Sequence, residues 1–277
     1  MRKSFVKVNQ PMLAGVIKER TPINVIAQIK TCEYHGATGI DLHLSCLDEE
    51  FRTKEHIANI VNSVKTPILA LNYNLSYDKG IYEDTEENRT NLILTAIEAG
   101  VAAADIQGYT FDLYSKNNFR QEFSNLDYSF IKGNPKEIVV DPKIIDKQMD
   151  FIERVHHLGA EVLLSNHPGI PMKTEQVVDL ALFVAKRKPD IIKIVTVAST
   201  EEELAEAFKT MVTLKKEVEI PVSYHCSGLK GALTRIVNPM LGGFMCFCND
   251  KFSVNSDMSQ PLLETAKQIF DGLHKMV

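Results

Sequence analysis

A lysine inside an apolar run is the residue of this chain best suited to covalent chemistry. Lys193 lies in the run 190–197, DIIKIVTV, and a β-branched run of this kind is typical of a strand buried on both faces. Burial lowers the pKa of a lysine amine, and the neutral amine is a nucleophile toward carbonyl groups. The alternative is a lysine that reaches solvent or pairs with a carboxylate. We predict that Lys193 is a Schiff-base lysine.

A histidine ends the apolar run that precedes this lysine. His167 closes the run 161–167, EVLLSNH, and neighbouring strands would bring its imidazole close to Lys193. Imine chemistry requires an amine together with a group that transfers protons, and histidine is the side chain that most often does so. The sequence therefore predicts that His167 is the general acid–base residue.

The composition argues against several classes of protein. The chain has 277 residues, is 44% hydrophobic and carries a net charge of −5, which gives no electrostatic basis for binding nucleic acid or an anionic membrane. No apolar stretch approaches the roughly 20 residues that a membrane span requires. The odd number of cysteines, five, argues against a disulfide framework. We expect a cytoplasmic protein.

Strand and helix patterns alternate along the chain. Eight short apolar runs are separated by segments with apolar residues at helical spacing, which predicts a (β/α)8 TIM barrel in one domain, 1–277. An open doubly wound sheet has the same alternation, but no glycine-rich phosphate motif follows any strand. The predicted strands are Met12–Ile17, Gly39–Leu44, Pro67–Tyr73, Ala102–Gln107, Glu161–His167, Asp190–Val197, Ile220–Cys226 and Gly243–Cys248.

One connection breaks this regularity. The segment 108–143 is rich in Asn, Asp, Phe and Tyr and delays the fourth helix, which we predict over 142–157. A connection of this length generally indicates a functional loop. Its aromatic residues could cover a neighbouring subunit or the barrel mouth as a lid, or could pack among themselves. We therefore predict a loop or lid insertion over 108–143.

Polar residues occur where the predicted strands end, the place where TIM barrels carry out chemistry. A single arginine, Arg235, follows strand seven, and one arginine with hydroxyl and amide donors suits a small carboxylate ligand. The other candidates on or after the strands are Asp41, His43, Tyr73, His167, Lys193, His225, Ser256 and Gln260.

Four motifs in this order resemble the type I 3-dehydroquinate dehydratase family, most closely over 161–260. They are Ser165-Asn166-His167, the apolar strand around Lys193, Gly231-Ala232-Leu233-Thr234-Arg235 and the Ser-x-x-x-Gln of 256–260. The resemblance implies an enzyme of aromatic amino acid biosynthesis through the shikimate pathway. It implies that Lys193 forms an imine with the substrate ketone, that His167 transfers protons, and that Arg235, Ser256 and Gln260 bind the carboxylate. We expect a homodimer without a cofactor or a metal.

The N-terminal half departs from the family pattern. The family has Glu-x-Arg-x-Asp at the end of strand two, where this chain has Asp41-Leu42-His43, and an arginine at the end of strand three, where it has Tyr73. The glutamate that hydrogen-bonds the family's histidine is replaced near Tyr77. We expect Asp41, His43 and Tyr73 to bind the substrate hydroxyls differently. The substrate is then 3-dehydroquinate or a closely related cyclic hydroxy-ketoacid.

Two alternatives stay open at this point. Asp41, His43, His167 and His225 could form a zinc or manganese site, as in a metal-dependent TIM-barrel isomerase or aldolase. The chain could also be a non-catalytic binding protein derived from the dehydratase, because two arginines of the family pattern are replaced.

Overall fold

Eight β-strands, each buried along most of its length, organise the chain. The computed structural model describes residues 2–8, 10–73, 85–254 and 256–274. The strands are β1 Met12–Ile17, β2 Gly39–His43, β3 Ile68–Leu71, β4 Ala103–Gln107, β5 Glu161–Asn166, β6 Ile191–Val197, β7 Val222–Ser227 and β8 Met245–Cys248.

A helix follows every strand. The helices are α1 Pro22–Tyr34, α2 Lys54–Ser63, α3 Glu86–Glu98, α4 Pro142–His157, α5 Thr174–Ala185, α6 Glu201–Glu217, α7 Ala232–Met240 and α8 Leu263–His274. Of the helices in the described part of the chain, none is long and apolar enough to span a membrane.

The strand order is β7-β6-β5-β4-β3-β2-β1-β8, so strands that follow one another in the chain are neighbours in the sheet, except that β8 lies beside β1. The β1–β2, β2–β3, β3–β4, β5–β6 and β6–β7 pairs are parallel. Parallel neighbours joined in sequence by helices are the (β/α)8 TIM-barrel fold, and the predicted fold class is confirmed.

The chain divides into two compact units. Unit 1 comprises residues 1–105, 155–161 and 246–277, and unit 2 comprises 106–154 and 162–245. Strands β1, β2 and β3 lie in unit 1, whereas β6 and β7 lie in unit 2. The single domain over 1–277 stays a prediction.

Threonine side chains cap the N-termini of several helices. Thr200 accepts a hydrogen bond from the backbone N of Glu203 at 3.2 Å, and the Glu203 carboxylate accepts one from the N of Thr200 at 3.3 Å. This reciprocal pair is a capping box, and it fixes the start of α6. At the C-terminal end of α1, Gly36 has a φ of +95°, a conformation that glycine adopts without steric penalty.

The long connection between β4 and α4 is well packed within unit 2. It contains 3₁₀ helices at Leu113–Lys116, Gln121–Phe123 and Ser129–Ile131. Phe130 is buried and stacks on Tyr128, with ring centroids 5.1 Å apart, and both rings contact Phe183 of α5. These contacts support the self-packed alternative for part of the segment, and the lid stays a prediction.

An ion pair and a glutamine hold the first part of this connection. Arg120 binds both carboxylate oxygens of Asp112 at 2.7 and 2.8 Å. This pairing holds the pKa of Asp112 below its usual value, although burial of the carboxyl acts in the opposite direction. Gln148 of α4 donates to the carbonyl oxygens of Gly108 and Thr110 at 2.9 and 2.8 Å. These contacts therefore hold the backbone that follows Gly108 in place, upstream of the site residues on the same connection.

Candidate active site

Lys193 lies at the centre of β6 and is 9% exposed. In the parallel register it is level with Ser165 of β5 and with Ser223 of β7. Side chains that are level on neighbouring strands point to the same face of the sheet, so two hydroxyl-bearing residues flank the lysine on its own face. Ser223 is fully buried, and its Oγ has no hydrogen-bond partner among the described residues.

Two histidines lie one step further along the same strands. His167 directly follows β5, two residues after Ser165, and His225 of β7 is level with Val195, two residues after Lys193. A strand has a side-chain period of two, so His225 shares the face of Lys193. The structure thus places Lys193 and His167, the two predicted catalytic residues, on β6 and directly after the adjacent strand β5 in unit 2.

A glutamate orients the imidazole of His167. Glu137 Oε2 lies 2.8 Å from Nδ1 of His167 and accepts a hydrogen bond from its backbone N at 3.1 Å. The Glu137 side chain is buried, whereas His167 keeps 28% of its side chain exposed. Two contacts from one carboxylate fix both the backbone and the ring of His167.

The backbone of Glu137 is itself held in an uncommon conformation. Its φ is +54°, a left-handed value rare for residues other than glycine. Its N donates to the carbonyl of Ser115 at 2.6 Å, and its carbonyl accepts from Nδ2 of Asn166 at 2.7 Å. Gly108 makes room for this contact, because a Cβ there would lie 1.9 Å from Asn166 Nδ2. Strained backbone supported in this way is typical of functional sites.

Sequence reasoning missed Glu137. It placed the replacement of the family's glutamate near Tyr77, which lies outside the described residues, and it named no other carboxylate for His167. The connection after β4 supplies one. The local signal, an acidic residue before the apolar run 138–140, is weak. The contact joins residues 30 positions apart.

Arg235 lies on α7, is 7% exposed and contacts β7. Its Nη1 is 3.1 Å from Nε2 of His225, which is 4% exposed. Burial, followed by the electrostatic influence of Arg235, Lys193 and His167, holds the pKa of His225 well below its usual value. The ring is therefore uncharged at neutral pH. Arg235, the predicted carboxylate-binding residue, lies on α7, the helix that follows the strand of this histidine.

Unit 1 contains a second carboxylate–histidine pair. His43 Nε2 lies 3.4 Å from Oδ2 of Asp41, both on β2, and Asp41 is 3% exposed. Within the described ranges, Oδ1 of Asp41 has no hydrogen-bond partner. Tyr73 is half-buried directly after β3. These three predicted residues thus lie at the ends of adjacent strands of unit 1.

An arginine that the sequence analysis did not consider also reaches the end of β3. Arg89 of α3 is 1% exposed and donates to the carbonyl of Asn72 at 3.1 Å. Glu86 binds the same guanidinium at 2.6 and 2.9 Å. The positive charge at this strand end is therefore neutralised within α3, and Arg89 stabilises the structure there.

The predicted residues Ser256 and Gln260 lie on the loop after β8. Asn249 holds this loop by donating to the carbonyls of Asp257 and Gln260 at 2.9 and 3.2 Å. Ser256 Oγ accepts from the backbone N of Ser253 at 2.9 Å. Oε1 of Gln260 is buried and has no hydrogen-bond partner in the described part of unit 1. Both side chains are thus on an ordered turn.

The metal hypothesis is not supported by the structure. Across residues 2–8, 10–73, 85–254 and 256–274, no group of three or more His, Cys, Asp and Glu side chains is arranged to hold a metal ion. The four residues divide into Asp41 and His43 in unit 1 and His167 and His225 in unit 2. Nε2 of His225 contacts a guanidinium, and Nδ1 of His167 contacts a carboxylate.

Comparison with known proteins identifies the family to which this site belongs. The sequence model of the type I 3-dehydroquinase family matches residues 16–276. The chain belongs to this family. Type I 3-dehydroquinases are hydro-lyases, and the chain is therefore an enzyme of this class. It is similar to the 3-dehydroquinate dehydratase of Desulfotalea psychrophila, with 23% identity over 89% of this chain and 87% of the relative.

Solved structures of type I 3-dehydroquinases have the same fold. The 3-dehydroquinate dehydratase of Geobacillus kaustophilus matches with a TM-score of 0.75 and 13% identity over 99% of each chain. The enzyme of Clostridium difficile, determined with covalently modified comenic acid, matches with a TM-score of 0.74 and 15% identity over 100% of this chain and 99% of that one. The low identities show how far the chain has diverged within the shared fold.

Proposed function

We propose that the chain dehydrates 3-dehydroquinate to 3-dehydroshikimate through an imine formed on Lys193. The observation that carries the proposal is the juxtaposition in unit 2 of a buried strand lysine and a histidine with its own carboxylate. Family membership supports the substrate. Because two arginines of the family pattern are replaced, a closely related cyclic hydroxy-ketoacid is the second candidate substrate.

Lys193 forms the imine that acts as the electrophile. Its neutral amine adds to the C3 ketone, and loss of one water from the carbinolamine gives a protonated imine. This imine accepts the electron pair that is released when a proton leaves C2, so a proton next to a plain ketone becomes accessible. The hydroxyl groups of Ser165 and Ser223, level with the lysine, are suited to bind the carbinolamine oxygen.

His167 moves the protons. Its Nε2 takes the C2 proton and returns a proton to the C1 hydroxyl, which leaves as water while the C1–C2 double bond forms. Glu137 on Nδ1 selects the tautomer with a lone pair on Nε2 and stabilises the imidazolium that forms between the two steps. A second water then hydrolyses the imine, releasing 3-dehydroshikimate and the free amine.

The remaining predicted residues orient the ring. Arg235, Ser256 and Gln260 are proposed to bind the carboxylate, and Asp41, His43 and Tyr73 the hydroxyls. Because His43 and Tyr73 replace arginines of the family pattern, we propose a pocket more tolerant of changes at these hydroxyls. A panel of kcat/KM values on cyclic hydroxy-ketoacids measures this tolerance, and a strict preference for 3-dehydroquinate would contradict it.

A borohydride-trapping experiment tests the imine. Sodium borohydride added with 3-dehydroquinate should reduce the imine to a stable secondary amine, and peptide mass spectrometry should place the adduct on Lys193. Lys193→Ala should give no adduct. Lys216→Ala, which removes an exposed lysine of α6, is the matched control and should react like the wild type. An adduct on another lysine would contradict the assignment of Lys193 as the imine lysine.

The non-catalytic alternative predicts a different outcome. A binding protein derived from the dehydratase would bind the ligand with neither turnover nor an adduct. The contact of Glu137 favours catalysis instead, because a buried carboxylate on Nδ1 of a histidine is the arrangement found in general acid–base pairs. Turnover by the purified wild type would exclude this alternative.

We further propose a cytoplasmic homodimer that acts in the shikimate pathway of aromatic amino acid biosynthesis. Its five cysteines are all free thiols, and Cys32, Cys226, Cys246 and Cys248 are buried, which suits a reducing compartment. Sedimentation analysis of the purified chain tests the dimer, and a single monomer species at micromolar concentration would contradict it.

A further inference from the structure

The three residues that follow Glu137 form a buried segment without regular structure. Residues 138–140 are each at most 5% exposed and lie in no helix or strand. A buried backbone carbonyl outside regular structure needs a hydrogen-bond donor from elsewhere in the chain. For Val139, two residues after Glu137, that donor is Nη2 of Arg187 at 2.8 Å, from 48 positions further along.

Arg187 ties this segment to the helix that follows His167. It lies two residues beyond the end of α5 and is 4% exposed. Its guanidinium carbon is 5.0 Å from the ring centroid of Phe183 on α5, and a planar guanidinium stacks favourably on such a ring. The same ring contacts two aromatic rings of the connection between β4 and α4. Arg187 therefore fixes the connection that carries Glu137 relative to α5.

The buried charge of Arg187 has a cost. Burial lowers the pKa of Arg187 to about 10, and its Nε has no hydrogen-bond partner among the described residues. A long apolar side chain would fill the same volume without the loss of solvation. Packing alone thus does not account for an arginine at this position, whereas the hydrogen bond to Val139 requires a donor.

The backbone of Glu137 depends on its neighbours for its conformation. A φ of +54° costs free energy and persists only where the surrounding structure fixes it. The N–H and the carbonyl of Glu137 are held by hydrogen bonds, and the contact from Arg187 holds the chain two residues later. A small shift of this backbone would lengthen the 2.8 Å contact between the Glu137 carboxylate and Nδ1 of His167.

We propose that Arg187 is a positioning residue, which holds the carbonyl of Val139 and thereby keeps the Glu137 carboxylate on Nδ1 of His167. This inference rests on the proposed function, because it takes His167 as the residue that transfers protons. Arg187 acts through Glu137 and does not itself touch the reacting atoms.

The test pairs a substitution that removes the donor with a matched control beside the same aromatic ring. Arg187→Met removes the donor to Val139 and keeps a long, adaptable apolar side chain. Lys186→Met makes the same change at the preceding residue, which is exposed and whose Nζ lies 5.9 Å from the centroid of the Phe183 ring. Steady-state kinetics with 3-dehydroquinate, borohydride trapping and thermal melts are measured for both variants.

Arg187→Met should lower kcat about 2- to 30-fold, the range expected for a residue that acts through an intervening group. KM should stay near the wild-type value, and the imine on Lys193 should still be trapped, because the residues that bind the substrate and form the imine are unchanged. Lys186→Met should match the wild type. An unchanged kcat in folded Arg187→Met, or an equal loss in Lys186→Met, would overturn the inference.

Two further measurements separate positioning from a structural role. In a Glu137→Gln background, Arg187→Met should cause no further loss of kcat, because the group through which it acts is already changed. In nitrogen NMR spectra of histidine-labelled protein, Arg187→Met should increase the population of the His167 tautomer with its proton on Nε2, because Glu137 selects the other tautomer. Additive losses of kcat, or an unchanged tautomer, would contradict the proposal.

A second variant covers the case in which Arg187→Met does not fold. Arg187→Lys keeps the positive charge but loses the planar group that stacks on Phe183. It should give a smaller loss of kcat that again disappears in the Glu137→Gln background.

The two proposals fail in different ways. A wild type that neither turns over 3-dehydroquinate nor forms an adduct would remove the proposed function and this inference with it. An active wild type whose kcat and His167 tautomer are unchanged by Arg187→Met would remove the inference alone.

Discussion

The two units each contain a carboxylate beside a histidine, and the two pairs differ in kind. In unit 1, Asp41 and His43 lie on the same strand two residues apart, and the contact of 3.4 Å is made to Nε2. In unit 2, Glu137 reaches His167 from a different segment of the chain, and the contact of 2.8 Å is made to Nδ1. The first pair arises from local spacing, whereas the second requires the whole unit to fold.

This difference supports the pair of unit 2 as the one proposed for proton transfer. A histidine with a carboxylate on Nδ1 presents Nε2, the ring nitrogen that points away from its own backbone, to the substrate. His43 has its carboxylate on Nε2 and is better suited to hold a hydroxyl. We therefore expect substitutions in unit 2 to change the chemical step and those of the unit 1 pair to change substrate binding.

The largest effect is expected from the lysine that unit 2 places beside its histidine. Lys193→Ala should abolish turnover, because no other residue supplies the imine. The melting temperature should shift by less than roughly 4 °C, the change that about 1 kcal/mol gives in a protein of this size. Activity assays with a thermal melt measure both. A large loss of stability would identify Lys193 as part of a structural ion pair.

Removal of the base should leave the imine intact. His167→Ala should lower kcat about 10²–10⁴-fold, the usual contribution of general acid–base catalysis, while borohydride still traps the adduct on Lys193. His157→Ala, at an exposed position of α4, is the control. If the inactive variant forms no adduct, His167 activates the amine instead.

Glu137→Gln tests the pair of unit 2 directly. It keeps the size of the side chain and removes its charge, so the imidazolium of His167 loses its stabilisation. We expect kcat to fall about 10- to 100-fold, less than when the base itself is removed. Glu122→Gln, on the same connection and more than half exposed, should be neutral. An unchanged kcat would show that Glu137 only supports the backbone.

Asp41→Asn tests the pair of unit 1. The substitution should raise KM about tenfold or less, within the range of a single neutral hydrogen bond, and should leave kcat nearly unchanged. Single-turnover kinetics with 3-dehydroquinate separate binding from chemistry. A loss in kcat as large as that of Glu137→Gln would remove the distinction between the two pairs.

The smallest effect concerns stability against pH. The folded state holds the pKa of His225 below its usual value, so unfolding takes up a proton below about pH 6.5. Stability should therefore fall as pH drops from 7 toward 5, by at most about 1.4 kcal/mol per pH unit for this one group. Chemical denaturation at several pH values measures the slope, and His225→Leu should reduce it. An equal slope in both proteins would assign the effect to other groups.

The sequence alone determined the fold class and nominated the residues proposed for the chemistry. Alternating apolar runs place the eight strands within a few residues of the bounds observed here, and α4 is predicted at 142–157 as found. The period of two in a strand and the C-terminal position of each polar residue are local properties, so they can be deduced from spacing. Lys193 and His167 were identified in this way.

Only the tertiary structure decided which residues support them. Glu137 meets His167 across 30 positions, and its left-handed backbone depends on Ser115, Asn166 and the absence of a side chain at Gly108. The lowered pKa of His225 depends on its burial and on the electrostatic influence of Arg235, Lys193 and His167, which come from three separate elements. Such contacts have no periodicity in sequence. They arise from the packing of segments distant in the chain, and that packing sets both the orientation and the charge of each group.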